Sequence, residues 1–253
     1  MHSQEIYRLA CNMIQQGMTD REVAHTCAIS VSCVRKWRYG TRRQQPDGRN
    51  KRDCPRCHGR PLDHENYAYL LGVYLGDGHI VASSKRCYRL MASCDVTWPG
   101  LIDSAERAMA SVMPLSKVHR RLRQGSIDVH SQSKHWPCLL PQHEPGRKHQ
   151  RKIELVEWQR EIVDEFSEEL VRGLLHSDGC RFVNRVRRPV AGGERCYEYP
   201  RYNFTNVSID IQRIFTDALD RLGIAWKQMN RKNVSVARRE AVARLDEFVG
   251  PEF

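Results

Sequence analysis

The chain has 253 residues, with 41 lysines and arginines against 30 aspartates and glutamates, a formal net charge of +11 and a pI near 9.3. No apolar stretch approaches the roughly 20 residues that a membrane span requires. The N-terminus lacks the charged and then apolar pattern of a signal peptide, so we expect an intracellular protein, cytoplasmic or nucleoid-associated if bacterial. The basic excess favours a polyanion such as nucleic acid as partner over a merely soluble basic protein.

Three short helices are predicted over residues 1–42. The first ends at Gly17 and has an apolar stripe formed by Ile6, Leu9, Ala10, Met13 and Ile14. Thr19 and Glu22 form a capping-box pattern that opens a second helix, and Ser30 caps a third that runs to Arg38. This order resembles a helix-turn-helix, whose second helix enters the major groove. The expected DNA-binding residues are Ser32, Arg35 and Lys36. The alternative is an ordinary three-helix bundle with a solvated basic face.

Residues 43–66 are interpreted as a basic linker that contains one CxxC pair, Cys54 and Cys57. The ten cysteines of the chain are scattered, so most are expected to be reduced. A CxxC pair is half of a tetrahedral zinc site, and no second CxxC exists in the sequence. The candidates for further ligands are His58, His64, Cys87 and Cys94. The alternative is a reduced turn that binds no metal.

A nine-residue pattern occurs twice, as LLGVYLGDG at residues 70–78 and as VRGLLHSDG at residues 171–179. Each copy is an apolar, helix-forming run with small residues four positions apart, which are Gly72 and Gly76 in one and Gly173 and Ser177 in the other. Small residues at this spacing share one helix face and allow two helix backbones to approach closely. Each copy ends in Asp-Gly, so a packed pair would bring Asp77 and Asp178 to one place. Two carboxylates together favour metal-assisted phosphodiester chemistry.

The segments that follow the two copies also repeat one order of elements. A predicted hairpin, a helix and a second hairpin follow each aspartate, and the aspartates lie about 100 residues apart, the length of one small domain. The helix of the first unit is predicted from about Leu101 to Met113. That of the second is capped by Ser208 and ends at Gly223. The sequence therefore predicts two similar units in one chain, over residues 67–157 and 158–253.

The paired motifs resemble the signature of LAGLIDADG homing endonucleases of the single-chain, two-motif kind. The resemblance covers residues from about 67 to 250, and the N-terminal helices lie outside it. It implies an α+β fold in which two αββαββα halves form a DNA-binding saddle, so that a monomer acts as a pseudo-dimer. It also implies Mg²⁺, or Mn²⁺ or Ca²⁺ in the same sites, held by Asp77 and Asp178 with the backbones of Gly76 and Ser177.

The family places a basic residue beside each scissile phosphate. The resemblance favours Lys148 in the first half, while Lys227 and Lys232 both lie in the corresponding region of the second half, of which Lys227 is preferred. Strand alternation predicts that Arg181, Arg185 and Arg187 share a basic face, opposite Phe182 and Val186. The candidate DNA-binding residues of the first half are Lys85, Arg86, Arg89, Arg120 and Arg123.

The sequence leaves more than one function open. The resemblance implies an endonuclease that hydrolyses both strands of a specific DNA duplex. A transcriptional regulator that binds DNA without cutting is the main alternative, and an RNA-splicing maturase on the same scaffold is a third. Aspartate at both motif ends favours cleavage, because a purely structural helix pair gains nothing from carboxylates at the negative end of the helix dipole.

Overall fold

A computed structural model describes residues 2–39, 54–83, 87–190 and 193–250. The chain divides into two compact units, residues 1–51 and 52–253. The part of the linker that precedes Cys54 lies outside the described residues. Within the described ranges, no helix combines the length and the apolar character needed to cross a membrane.

The first unit contains three helices, as the sequence predicts: α1 (Gln4–Gln15), α2 (Asp20–Thr26) and α3 (Val31–Tyr39). The hydroxyl of Thr19 accepts a hydrogen bond from the amide of Glu22, and the Glu22 carboxylate accepts one from the Thr19 amide at 2.7 Å, so the predicted capping box is present. The Ser30 hydroxyl accepts a hydrogen bond from Cys33 and so caps α3. A small core joins the helices and consists of Ala10, Met13, Val23, Ala24, Cys27 and Val34.

The second unit contains the paired halves. The first half consists of α4 (Pro55–His58), α5 (His64–Leu75), β1 (His79–Ser83), β2 (Cys87–Asp95), α6 (Pro99–Val112), β3 (Val118–Arg123), β4 (Ser126–Ser133) and α7 (Trp136–Leu139). A 3-10 turn (Lys148–Gln150) and α8 (Glu157–Glu165) lead to the second half. That half consists of α9 (Ser167–Asp178), β5 (Gly179–Val190), β6 (Gly193–Thr205), α10 (Ile209–Arg221), β7 (Lys227–Gln228), β8 (Asn233–Val236) and α11 (Arg239–Val249).

The two sheets have the same topology. Each is antiparallel and four-stranded, with the order β1-β2-β4-β3 in the first half and β5-β6-β8-β7 in the second. The predicted α+β architecture of two αββαββα halves is therefore confirmed. The halves differ in their hairpins, because β5 and β6 pair along 12 positions while β7 is reduced to two residues.

One face of each sheet packs on helices. Leu90, Ala92 and Val129 turn inward from the first sheet, while Tyr202 and Phe204 do so from the second. The ring of Phe204 stacks on that of Phe215 in α10, with the centroids 4.2 Å apart. The inward residues of both sheets and of α5 and α9 form one continuous apolar core. Since side chains alternate along a strand, the residues between these inward ones lie on the opposite faces of the two sheets. We call these the open faces.

Candidate active site and nucleic-acid interface

Helices α5 and α9 pack with almost no side-chain volume between them. A Cβ placed on Gly72 would lie 2.5 Å from the carbonyl oxygen of Leu170, and one placed on Gly173 would lie 2.2 Å from that of Tyr69. Both distances are far below a normal contact, so only glycine fits at either position. The close packing expected from the small residues is therefore present, and it fixes how the ends of the two helices meet.

The two motif aspartates lie at these helix ends. Asp178 is the last residue of α9, and Asp77 follows Gly76, the C-cap of α5. A Cβ on Gly76 would lie 2.0 Å from the Ser177 hydroxyl oxygen and 3.2 Å from the Asp178 carboxylate, which shows how closely the ends approach. Asp178 directly precedes β5 and Asp77 lies two residues before β1, so the pair lies where the two sheets begin.

The electrostatics of the pair reflect this convergence. Burial and the neighbouring charge of Asp178 together raise the pKa of Asp77 to about 6, although the positive charge of Lys148 partly opposes them. Burial also raises the pKa of Asp178, against the hydrogen bond from Asn206 and the charge of Lys148. Asp77 as a whole residue is exposed and Asp178 is half-buried, but the surrounding protein atoms still desolvate both carboxyl groups. The site holds two carboxylates whose ionised forms are disfavoured until a further cation binds.

Lys148 occupies the end of α5. Its ammonium group donates hydrogen bonds to the carbonyl oxygens of Tyr74, of Leu75 at 3.1 Å and of Gly76 at 2.6 Å. These carbonyls have no partner within the helix and carry the negative end of its dipole, which a cation stabilises. Burial lowers the Lys148 pKa to about 8, although both aspartates favour the charged form. A single lysine therefore places positive charge beside both aspartates.

The second half has no matching lysine beside its acid among the described residues. Lys227 lies exposed on β7 and Lys232 lies exposed in the turn before β8, and neither is an electrostatic partner of Asp178. Asn206 takes this place and donates to the Asp178 carboxylate at 2.5 Å. Asn206 has no distinctive sequence signal, because it lies in an ordinary Asn-x-Ser turn in which its side chain accepts a hydrogen bond from the amide of Ser208. The two halves are therefore asymmetric at the acids.

His176 lies two residues before Asp178 in α9, and both of its ring nitrogens are within hydrogen-bond distance of a partner. Nδ1 lies 3.1 Å from the hydroxyl of Tyr69, and Nε2 lies 3.0 Å from the carbonyl oxygen of Val249. Burial lowers its pKa to about 4, so the ring is neutral near pH 7. It also lines a cavity of about 200 Å³ that borders Asp77, together with Cys94, Trp98 and Ser177. Because both ring nitrogens contact protein groups, His176 has a packing role rather than a metal-binding one.

The open face of the first sheet is basic. Strand register places Arg89 of β2, Arg121 and Arg123 of β3, and the imidazoles of His119 and His130 on this face, around the carboxylate of Asp128. Arg123 forms an ion pair with Asp128 and remains half-exposed. On the second sheet, the same argument places Arg201, Asn203 and Lys227 on the open face.

Two predicted DNA-binding residues turn toward the helices that cover the sheets. Arg120 is paired with Val129 in register and turns toward α6, where it donates to Asp103 and Glu106 at 2.7 Å each. Arg181 is paired with Tyr202 and donates to both carboxylate oxygens of Asp246 on α11, at 2.8 and 2.9 Å. Both predictions are wrong, because these arginines form ion pairs that join the sheets to the helices packed on them. Arg121, which the sequence interpretation passed over, takes the position expected of Arg120.

The other predicted contacts fall in three places. Arg185 and Arg187 are exposed on the long β5–β6 hairpin, where Arg185 pairs with Glu198 at 2.9 Å. Strand register puts both on the same face as Arg181, and Phe182 and Val186 on the open face with Arg201, so the predicted orientation of this strand is wrong. Lys85 and Arg86 lie outside the described residues. In the three-helix unit, Ser32, Arg35 and Lys36 are exposed on α3, and Arg35 lies 3.5 Å from Asp20. Their contact with DNA stays a prediction.

The CxxC pair acquires partners that were not expected. Among the described residues, Cys54 and Cys57 cluster with His135 and Cys138, and one ligand atom from each lies within 4.8 Å of all the others. None of His58, His64, Cys87 or Cys94 belongs to this cluster, so the predicted additional ligands were wrong. The Nδ1 atom of His58 instead accepts a hydrogen bond from the Cys54 amide at 3.2 Å.

Comparison with known proteins gives structural matches only. No family model and no curated protein sequence matches the chain. The chain is similar in fold to LAGLIDADG homing endonucleases. Matches include I-DmoI in complex with DNA and Mn (13% identity, 75% of this chain, 99% of that chain, TM-score 0.48) and the meganuclease I-AabMI bound to uncleaved DNA (12%, 72%, 82%, 0.46). A third is I-SmaMI bound to cleaved DNA (9%, 73%, 83%, 0.43). At these identities no activity is transferred, and function rests on this chain's own residues.

Proposed function

We propose that the protein is a divalent-metal-dependent endonuclease that hydrolyses one phosphodiester bond in each strand of a specific DNA duplex. The observation that carries the proposal is the convergence of Asp77 and Asp178 at the foot of two closely packed helices. The pair lies at the start of two sheets, each with an open face that carries basic side chains. One acid per half matches one scissile phosphate per strand.

The donor set fits a hard divalent cation. Mg²⁺, Mn²⁺ and Ca²⁺ prefer carboxylate, carbonyl and water oxygens, and the site offers the two carboxylates with the backbone carbonyl of Ser177. The Gly76 carbonyl accepts a hydrogen bond from Lys148 and would join them once that ammonium turns to a phosphate. Burial raises the pKa of both aspartates, and a bound divalent cation would favour their ionised forms. When bound, it would stabilise charge on the phosphate and lower the pKa of the attacking water.

Lys148 and Asn206 prepare the two acids in different ways. Lys148 brings positive charge to the junction of both halves, and without DNA its ammonium group donates hydrogen bonds to the carbonyls at the end of α5. A phosphate oxygen near Gly76 would offer the ammonium a charged acceptor in place of a neutral one. Asn206 fixes the orientation of the Asp178 carboxylate through its hydrogen bond. The geometry thus supports Lys148 as the electrostatic stabiliser of the reacting phosphate, and Lys227 as a backbone contact.

DNA would lie along the open faces. Arg89, Arg121 and Arg123 offer charge on the first sheet, and Arg201 and Lys227 do so on the second. Arginine contacts to phosphate fix register, while arginine contacts to guanine read sequence, so both functions fall to the same side chains. Ser32, Arg35 and Lys36 of the three-helix unit would add a second, separate contact with the same duplex. Such a chain acts as a monomer, since both acids come from one polypeptide.

The test begins by finding the target. The full chain is incubated with a random-sequence duplex library in Ca²⁺, bound DNA is selected, and a plasmid carrying the selected site is then treated with protein in Mg²⁺. We expect linear product that requires the metal and is lost in both Asp77→Asn and Asp178→Asn. The matched control is Asp217→Asn, which removes an exposed carboxylate from α10 and should cut like the parent.

A non-cleaving regulator is the second candidate, and one observation favours it. Lys148 already neutralises the end of α5 without any metal, so the acid pair is compatible with a purely structural role. In that case the selected duplex is bound tightly and equally with Mg²⁺ or EDTA, and no nick appears in either strand. That result would reject the endonuclease proposal while leaving DNA binding in place.

A further inference from the structure

A second metal centre is indicated by the cluster of Cys54, Cys57, His135 and Cys138. Three thiols and one imidazole lie with their ligand atoms within 4.8 Å of one another. All three cysteines are free, with Cys54 buried, Cys57 exposed and Cys138 half-buried. The two pairs come from segments about 80 residues apart in the chain, so their meeting is a product of the tertiary fold.

The distances inside the cluster approach those of a tetrahedral zinc site. With zinc bonds of about 2.3 Å to sulfur and about 2.0–2.1 Å to nitrogen, the edges of the tetrahedron are about 3.8 Å between sulfurs and about 3.6 Å between sulfur and nitrogen. The sulfur atoms of Cys57 and Cys138 lie 3.5 Å apart, and the sulfur of Cys138 lies 3.6 Å from Nδ1 of His135. The four side chains need only small shifts to surround an ion.

Both ligand pairs are built in the same way. Cys54 is the N-cap of α4 and Cys57 lies within it, while His135 is the N-cap of α7 and Cys138 lies within it. Each short helical turn therefore presents residues i and i+3 on one side, which is the arrangement of a zinc knuckle. His58 supports the cluster from outside, since its Nδ1 binds the Cys54 amide and its ring packs edge-on against His135 at 5.0 Å.

We propose that these four residues bind one Zn²⁺ with Cys₃His ligation. Soft thiolates with an imidazole in tetrahedral arrangement select zinc over the oxygen-preferring ions expected at the aspartate pair. With four protein ligands no position is left for substrate, so the site is structural. A disulfide between Cys57 and Cys138 is the competing product of the same geometry.

The site would join two parts of the first half that carry the functional centre. Cys54 and Cys57 precede α5, and α7 contains the buried Trp136 and Leu139. The Leu139 carbonyl accepts a hydrogen bond from the Tyr67 hydroxyl of α5 at 2.6 Å, so α7 already contacts the helix that ends at Asp77. Zinc coordination would cross-link α4 to α7 and so restrain the start of α5. The inference does not depend on DNA cleavage.

The experiment measures zinc in the full-length, untagged protein after dialysis against EDTA, which strips weakly bound ions. We expect about one zinc per chain by plasma mass spectrometry. Cys57→Ser, Cys138→Ser and His135→Ala should each lose it. His135→Cys should keep it, because four thiolates also bind zinc. Cys196→Ser, an exposed cysteine of β6, and Asp77→Asn should retain the full content.

Cobalt substitution of the parent protein keeps the test independent of variant folding. Co²⁺ in the proposed site gives thiolate-to-cobalt charge-transfer bands and the intense d–d bands of tetrahedral cobalt, and added Zn²⁺ should abolish both. The proposal is overturned if the folded, reduced parent holds no zinc, if zinc persists in Cys57→Ser and Cys138→Ser, or if intact-mass analysis finds a Cys57–Cys138 disulfide in the metal-free protein.

Discussion

Replacing Asp77 by asparagine should stabilise the metal-free protein while it removes the response to metal. Asparagine has nearly the same shape but no charge, so it relieves the burial of a charge and the repulsion from Asp178. A pKa raised from 3.8 to about 6 corresponds to a cost of about 3 kcal/mol for the ionised form at full effect. Because Asp77 is exposed, solvent screening reduces this to about 1 kcal/mol.

The assay is thermal unfolding of parent and Asp77→Asn in EDTA and in Mg²⁺ at neutral pH. In EDTA, a gain of about 1 kcal/mol should raise the midpoint of the variant by about 2–4 °C. In Mg²⁺ at about 100 times the dissociation constant, the parent should gain about 2.7 kcal/mol and the variant much less. The order of the two midpoints should therefore reverse when metal is added.

The pH dependence has a defined sign. A folded-state pKa above the unfolded value means that ionised Asp77 destabilises the fold above about pH 6, and that this cost fades as pH falls toward 3.8. The advantage of the variant in EDTA should vanish over the same range.

Asp246→Asn is the matched control with the opposite sign, because hydrogen bonds from Arg181 and Tyr202 lower the Asp246 pKa. It should reduce stability at neutral pH and leave the Mg²⁺ response intact. If Asp77→Asn is destabilised in EDTA, or gains as much from Mg²⁺ as the parent, the assignment of Asp77 to a strained metal site is refuted.

Three further outcomes test the packing, the interface and the chemistry. Gly173→Ala should lower the free energy of unfolding, measured in urea, by about 3 kcal/mol or prevent folding, because the added Cβ would meet the Tyr69 carbonyl. Gly125→Ala should cost only about 1 kcal/mol, because the space around Gly125 is open and only its φ of +74° opposes a side chain. Arg121→Ala should weaken binding to the selected duplex and reduce by about 1 the slope of log affinity against log salt concentration, as measured by fluorescence anisotropy. Arg120→Ala should leave that slope unchanged, and equal slopes for the two variants would contradict the assignment of faces. Cleavage rates at limiting duplex and limiting Mg²⁺ report the free protein, and they should rise with pH through about 6, as Asp77 ionises, and fall above about 8, as Lys148 loses its proton. Lys148→Arg should remove the alkaline fall, and a flat profile would exclude both groups from the reaction.

Much of the architecture follows from local patterns in the sequence. Small residues four apart predict the contact of α5 with α9, because the pattern describes one helix face and needs no knowledge of the partner. Thr19 and Glu22 predict the start of α2 for a similar reason, since a capping box is complete within four residues. The repeated order of helix and hairpin predicts the two halves. These features depend on neighbours in the chain.

The site depends on the tertiary structure in three respects. Lys148 was selected through a family resemblance, but its hydrogen bonds to the end of α5 arise because the loop after α7 returns to that helix. Asn206 reaches Asp178 only because β6 ends beside α9. The faces of Arg120 and Arg121 are set by strand register, and a shift of one residue exchanges them.

The sequence by itself determined the paired helices and the two acids at their ends, because each motif consists of residues that are close together in the chain. The basic character follows from composition alone. Only the tertiary structure decided which cations face the acids, which arginines remain available to DNA and which residues complete the cysteine cluster. His135 and Cys138 carry no signal that links them to Cys54 and Cys57, since ligand atoms meet by the packing of α4 on α7 and not by spacing.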